Sequence, residues 1–369
     1  MSTPPHRTGL AHLPLHGGHA PAWLFQRMAR LGREVTAAIV LDFGPEEVLR
    51  RLADPFWFQA FGCVLGYDWH SSGVTTTVCG ALKAGLAGTE HELGLYVAGG
   101  KGRAARTTPR DILATGSLLL VDPQRLVYAS RMSAKVDSVA LQDGYDLYHH
   151  SMFFTREGKW SVVQQGMNTV SRYARRYHWL GEAVTDFCCE PEAAICSDAR
   201  GHPLNLVASE SQAAREAMAG MPRDFSPGAL KLELQRLSVL TLPRREYLTF
   251  ADIDVKRVGR LLDSVQAQQP QDFASLLSLQ GVGAKTARAM ALIADIVYGA
   301  PASFRDPATY SFAHGGKDGH PFPVDRALYD TSIQLLSDAV RRARLGMQEK
   351  QEALSRLRTN IEGVPERGT

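Results

Sequence analysis

The chain has 369 residues, 44% hydrophobic and 21% charged, enough to bury a full core, and its length suits two domains better than one, which excludes a disordered or low-complexity polymer. A net charge of +3 and a pI near 8.6 permit nucleic-acid binding but fall short of the strongly basic balance of a phosphate-wrapping domain. Five cysteines with no C-x-x-C pair argue against a zinc knuckle and a disulfide framework, so reduced thiols in a cytoplasm are expected.

Residues 1–30 hold two His-rich patches and two Pro-rich turns but no uninterrupted apolar stretch, so neither a signal peptide nor a membrane anchor is expected. His16-Gly-Gly-His19 is a Gly-rich loop with bases, and Trp69-His70-Ser71-Ser72 with Thr75 to Thr77 can rim a polar pocket. Short apolar runs bounded by Gly or Pro predict strands at residues 93–98 and 117–121. Between them, Gly99-Gly-Lys-Gly-Arg-Ala-Ala-Arg106 can form an anion nest, with Lys101, Arg103 and Arg106 as phosphate contacts. Residues 133–148 read as a helix with Val136, Ala140 and Leu147 on one face, and Asp143 falls on that same apolar stripe.

A β-hairpin is expected to pair residues 148–154 with 159–165 across Thr155-Arg-Glu-Gly158, both arms being rich in aromatic or β-branched residues. Arg172-Tyr-Ala-Arg-Arg-Tyr-His-Trp179 interleaves bases with aromatics. It suits a stacking and phosphate-binding surface carried by Arg172, Arg175 and Arg176, or else an amphipathic helix with its aromatics in the core. Turn residues around Gly220, Pro222, Pro227 and Gly228 mark a boundary near residue 222. The expected architecture is therefore an α+β or α/β domain over residues 1–222 and an all-α domain over 223–369, ending in a solvated helix at about 330–360.

Within the helical half, residues 273–279 read as a short helix, 280–283 as a tight turn and 284–298 as a second helix. Met290, Ile293, Ala294 and Val297 form its apolar stripe, and Gly299 and Pro301 stop it. Gly281 and Gly283 allow positive φ and remove Cβ atoms that would hold a backbone away from a ligand. Amides at the start of the second helix then suit a phosphate oxygen, with Lys285 and Thr286 adding a charge and a hydroxyl. Such contacts read no bases, so binding is expected to depend on salt more than on sequence. The spacing is not that of a Walker P-loop, and no nucleotide cofactor is expected.

Leu279-Gln-Gly-Val-Gly-Ala-Lys-Thr-Ala287 resembles the helix-hairpin-helix of the endonuclease III-type DNA glycosylases. That resemblance implies Lys285 as the nucleophile and Asp325, in Val324-Asp325, as its carboxylate partner. Asp325 follows Lys285 by 40 residues, so residues 303–323 must loop out, and the family's iron–sulfur cluster is not expected because no suitable cysteines follow. Arg7-Thr-Gly-Leu-Ala-His-Leu-Pro-Leu-His-Gly-Gly18, Trp69-His-Ser-Ser-Gly-Val-Thr-Thr-Thr77 and Phe312-Ala-His-Gly-Gly-Lys-Asp-Gly-His-Pro-Phe-Pro323 are similar to a bacterial and archaeal family of unknown function, DUF763.

The first half is far larger than a hairpin needs, and polar residues suited to chemistry gather there. Asp137, Asp143, His149, His150 and Gln164 are the candidate catalytic residues; Asp137, Asp143 and His150 are the candidate ligands of a Mg²⁺ or Mn²⁺ ion that would activate water against a phosphodiester. On a regular strand His149 and His150 face opposite sides, so one pocket takes one of them. The alternative for this layer is a hydrogen-bonded polar core. The functional expectation is a DNA-processing or repair protein, a metal-dependent nuclease first, a base-excision enzyme using Lys285 and Asp325 second, and a non-enzymatic DNA binder third. The strandedness of the DNA and the oligomeric state stay open.

Overall fold

The computed structural model of the protein describes residues 21–67, 73–197, 199–225, 228–229, 232, 235–236, 264–265, 267–310 and 326–362. Helix α1 (Ala22–Phe43) ends at Gly44, whose φ of 85° turns the chain into α2 (Pro45–Ala53). Asp54 then caps α3 (Pro55–Val64) by accepting from the amides of Phe56 and Trp57. Helices α4 (Val74–Leu86) and α5 (Glu90–Leu93) lead into strand β1 (Leu95–Lys101). Next come α6 (Arg103–Ala114), a 3₁₀ turn at Gly116–Leu118, and α7 (Pro123–Lys135), which Asp122 caps. A π turn, Val136–Ala140, joins α7 to β2 (Leu141–Gln142).

Strands β3 (Asp146–Thr155), β4 (Trp160–Met167), β5 (Ala174–Leu180), β6 (Ala194–Ser197) and β7 (Leu204–Asn205) follow, then α8 (Gln212–Asp224). Further helices among the described residues are α9 (Phe273–Ser278), α10 (Ala284–Tyr298), α11 (Arg326–Arg342) and α12 (Met347–Glu362).

The main sheet has five strands in the order β1-β3-β4-β5-β6, and β2 pairs with β7. Every ladder between these strands is antiparallel, which places the sheet in the α+β class and not among parallel α/β sheets. The expected hairpin is β3 and β4, in register with Met152 opposite Val162 and Phe154 opposite Trp160. Both faces of the sheet are covered. Met152, Phe154, Val162, Tyr177 and Trp179 pack with α6, α7, α9 and α10, while Phe153 and Val163 pack with α1–α4 and with Leu336, Val340 and Leu357 of α11 and α12. Strands buried on both faces show no polar alternation. Close approach of β1 and β3 requires Gly99, where a Cβ would stand 2.2 Å from the His150 carbonyl oxygen.

Four local readings change. Residues 117–121 form no strand; the 3₁₀ turn takes their first part, and beyond it Leu120 donates a single backbone bond to the Arg156 carbonyl. The helix expected over 133–148 ends at Lys135, and the chain passes through the π turn into β2 and β3 because β-branched and aromatic residues dominate beyond it. Arg172 to Trp179 is strand, not helix, from Ala174 onward. Residues 330–360 are two helices, parted at Ala343 to Gly346. The helical half also touches the sheet through isolated bridges, Tyr310 to Cys196 and Ser303 to Asn205. No helix among the described residues is long and apolar enough to cross a membrane.

Candidate functional site

On the α7 face of the sheet a row of polar side chains is sealed from solvent. His150 on β3 meets Ser130 Oγ through Nε2 at 2.9 Å and Gln164 Oε1 through Nδ1 at 2.8 Å. Gln164 Nε2 donates to Asp137 Oδ2 and to the Ser133 carbonyl, so its Oε1 is the acceptor and His150 Nδ1 carries the proton. Ser130 then donates to His150 Nε2. Burial lowers the His150 pKa to about 4 and keeps the ring neutral.

Trp179 Nε1 adds a second donor to Asp137 Oδ2 at 2.8 Å. Asp137 Oδ1 and Glu192 Oε1 are buried without a hydrogen-bond partner, and the two carboxyls shift each other's protonation. Burial, reinforced by Glu192, raises Asp137 well above the usual carboxylate range, and burial holds Glu192 at about 6.

Asp143 belongs to a second group one strand away. It accepts from Arg175 at 3.1 Å, from the Tyr177 hydroxyl at 2.7 Å and from the Tyr145 amide at 3.1 Å. Asp306, from beyond α10, takes the other side of the Arg175 guanidinium at 2.9 Å. Burial opposes the charge of Arg175, but Asp143 and Asp306 outweigh it and raise its pKa; burial likewise raises Asp143 against the pull of Arg175.

Asp137, Asp143, His150 and Gln164 therefore share one buried layer, but Asp137, Asp143 and His150 do not converge as metal ligands. The Gln164 amide stands between His150 and Asp137, both ring nitrogens of His150 are engaged, and Asp143 is held by Arg175. Among the described residues no group of three or more His, Cys, Asp and Glu side chains could hold a metal ion.

The opposite face carries His149, which is buried, bonds Ser151 Oγ through Nε2 at 3.1 Å, and is lowered to about 3 by burial. Beside it, Gln165 donates to the Tyr148 hydroxyl at 2.6 Å and Lys101 lies over the Tyr148 ring. Arg176 contacts Gln59 at 3.0 Å and packs over Phe58. Alternation on β5 thus sends Arg175 and Arg176 into opposite covered faces at 1% exposure each, and neither reaches a DNA backbone. Arg172, Lys101, Arg103 and Arg106 are exposed, Arg172 in the turn before β5 and the other three where β1 passes into α6.

The turn between α9 and α10 is exposed at Gly281 and Lys285 and anchored by Val282, which is 3% exposed. Lys135, at the end of α7, donates to the carbonyls of Leu279 at 3.1 Å and Val282 at 2.6 Å. Gln142 donates to the Ala284 carbonyl at 2.8 Å and accepts from Arg288 at 2.9 Å. These bonds turn the carbonyls inward. Gly281 has φ 90°, as expected, whereas Gly283 is extended, at φ −122°, and caps α10 with no side-chain hydrogen bond. Thr286 is buried at 5% exposure, so its hydroxyl is not a surface contact, and Val297 lies at the exposed edge of its stripe.

Sequence reasoning missed Glu192, Asp306 and Lys135. No local spacing announces them, since each acts on a partner distant in the chain. His16, His19, Trp69 to Ser72, Asp325 and most of the expected 303–323 loop lie outside the described residues. No curated protein and no solved structure matches the chain. One family model matches residues 9–324, most of the length, and the chain belongs to that family, described as Protein of unknown function (DUF763).

Proposed function

We propose that the protein binds the sugar-phosphate backbone of DNA through the α9–α10 turn, as a helix-hairpin-helix. Gly283 carries this reading. Its backbone is extended and open to any residue, and a Cβ added there would meet nothing nearer than Gly281 O at 4.0 Å. Nothing within the described chain calls for glycine, whereas a phosphate approaching the uncapped amides of α10 would. Exposed Lys285, in the first turn of that helix, supplies the charge.

In this reading the first half holds the hairpin through Lys135 and Gln142, and the protein grips DNA without a reaction assigned to its buried carboxylates. The test is duplex and single-stranded DNA titrated across a salt series. Gly283→Ala is expected to keep the melting temperature and weaken binding about tenfold. Lys285→Ala is expected to lower the salt slope by about one. Wild-type affinity and slope in both variants would overturn the reading.

A further inference from the structure

The N-terminal end of α7, the β3–β4 turn and the segment after β5 enclose a cleft of about 560 Å³ lined by Tyr128, Trp160 and Phe187, with Arg125 and Lys159 at its rim. The Trp160 and Phe187 rings are parallel within 5° at 6.0 Å between centroids, and Tyr128 meets Phe187 edge-on at 5.7 Å. Behind them Trp179 backs Phe187 at 6.1 Å. Trp160 lies flat on the backbone of Gly181, where a Cβ would come within 2.5 Å of the indole. Trp160 and Phe187 are half-buried against the core beneath the cleft, whereas Tyr128 is 45% exposed and Arg125 and Lys159 are exposed.

Of the two carboxylates lining the cleft, Asp122 is turned to the Gln124 amide as the α7 cap, and Glu157 is exposed in the hairpin turn. Packed π faces beside two exposed cations match a base and its phosphate. Tyr128 and Lys135 sit seven residues apart on α7, two turns or about 10 Å along one face. Because Lys135 holds the α9–α10 turn, the cleft opens a few nucleotides from the place where the backbone would be gripped.

We propose that this cleft stacks an unpaired base of single-stranded DNA, an inference that rests on the backbone-binding reading above. The experiment compares a short oligo(dT) with an all-abasic oligomer of the same length at one salt concentration, reading affinity by anisotropy and tryptophan quenching. The wild type is expected to prefer oligo(dT) about tenfold, and Tyr128→Ala to erase that preference while leaving abasic binding unchanged. Tyr128→Phe should restore it. Trp160→Phe, which keeps a ring on Gly181, should retain affinity and lose part of the quenching. Lys285→Ala should weaken both oligomers equally. Equal wild-type binding of the two oligomers, or full preference in Tyr128→Ala, would overturn the stacking site while sparing the backbone reading. Binding of neither oligomer would overturn both.

Discussion

The buried layer beneath α7 and the α9–α10 turn are both rich in polar groups, yet they use them in opposite ways. Around Asp137 and Asp143 most donors have an acceptor inside the protein. At the turn, Lys135 and Gln142 occupy the carbonyls, and no side chain caps the first amides of α10. Polar groups that answer one another specify a structure, whereas donors left facing solvent await something from outside.

Arg175 gives the largest break in this contrast. Arg175→Ala leaves Asp143 and Asp306 buried without their cation, and a loss of about 3–5 kcal/mol is expected in urea unfolding. Glu192 comes next. Glu192 rises from 4.5 to about 6 on folding, so the native state holds a proton that the unfolded chain releases. Stability should be highest below pH 4.5, fall as pH rises through 6, and level off above it, by roughly 2 kcal/mol for this group. Glu192→Gln removes the titrating group and should flatten that part of the pH–stability curve.

At the turn, Lys135→Met removes the donor to two carbonyls and is expected to cost about 1–2 kcal/mol in thermal melts. It should also weaken DNA binding without changing the salt slope, because Lys135 faces inward. Gly281→Ala is expected to cost about 1 kcal/mol, as an L-residue at φ 90°. A larger loss in Gly283→Ala than in Gly281→Ala would mean that the extended residue bears the strain, contrary to the geometry.

Local pattern made the β3–β4 hairpin and the two helices around Gly281-Val282-Gly283 legible, since turn residues and periodicity lie within the segments themselves. The burial of Asp143 was foreseen on a mistaken helix; β5 supplies the partners instead, through Arg175 and Tyr177. Arg175 and Arg176 read as a binding surface or as the polar side of an amphipathic helix, and either reading leaves the cations in solvent. Their burial depends on Asp306 and Gln59, which lie 131 and 117 residues away. No window of sequence spans such pairs. The Tyr128–Trp160–Phe187 cleft escaped notice for the same reason, its rings coming from three separate elements.

The packing of α11 and α12 also bears on how the chain is made. Leu336, Val340 and Leu357 complete the cluster that begins with Met28 and Val35. As the chain leaves the ribosome, α1 to α4 are synthesised long before these partners, and the apolar face they share stays open until α11 and α12 arrive. Closing contacts this remote in sequence is slow. Stalling synthesis after α10 should therefore yield a nascent chain that binds hydrophobic dye and chaperones, and releasing it through α12 should quench both.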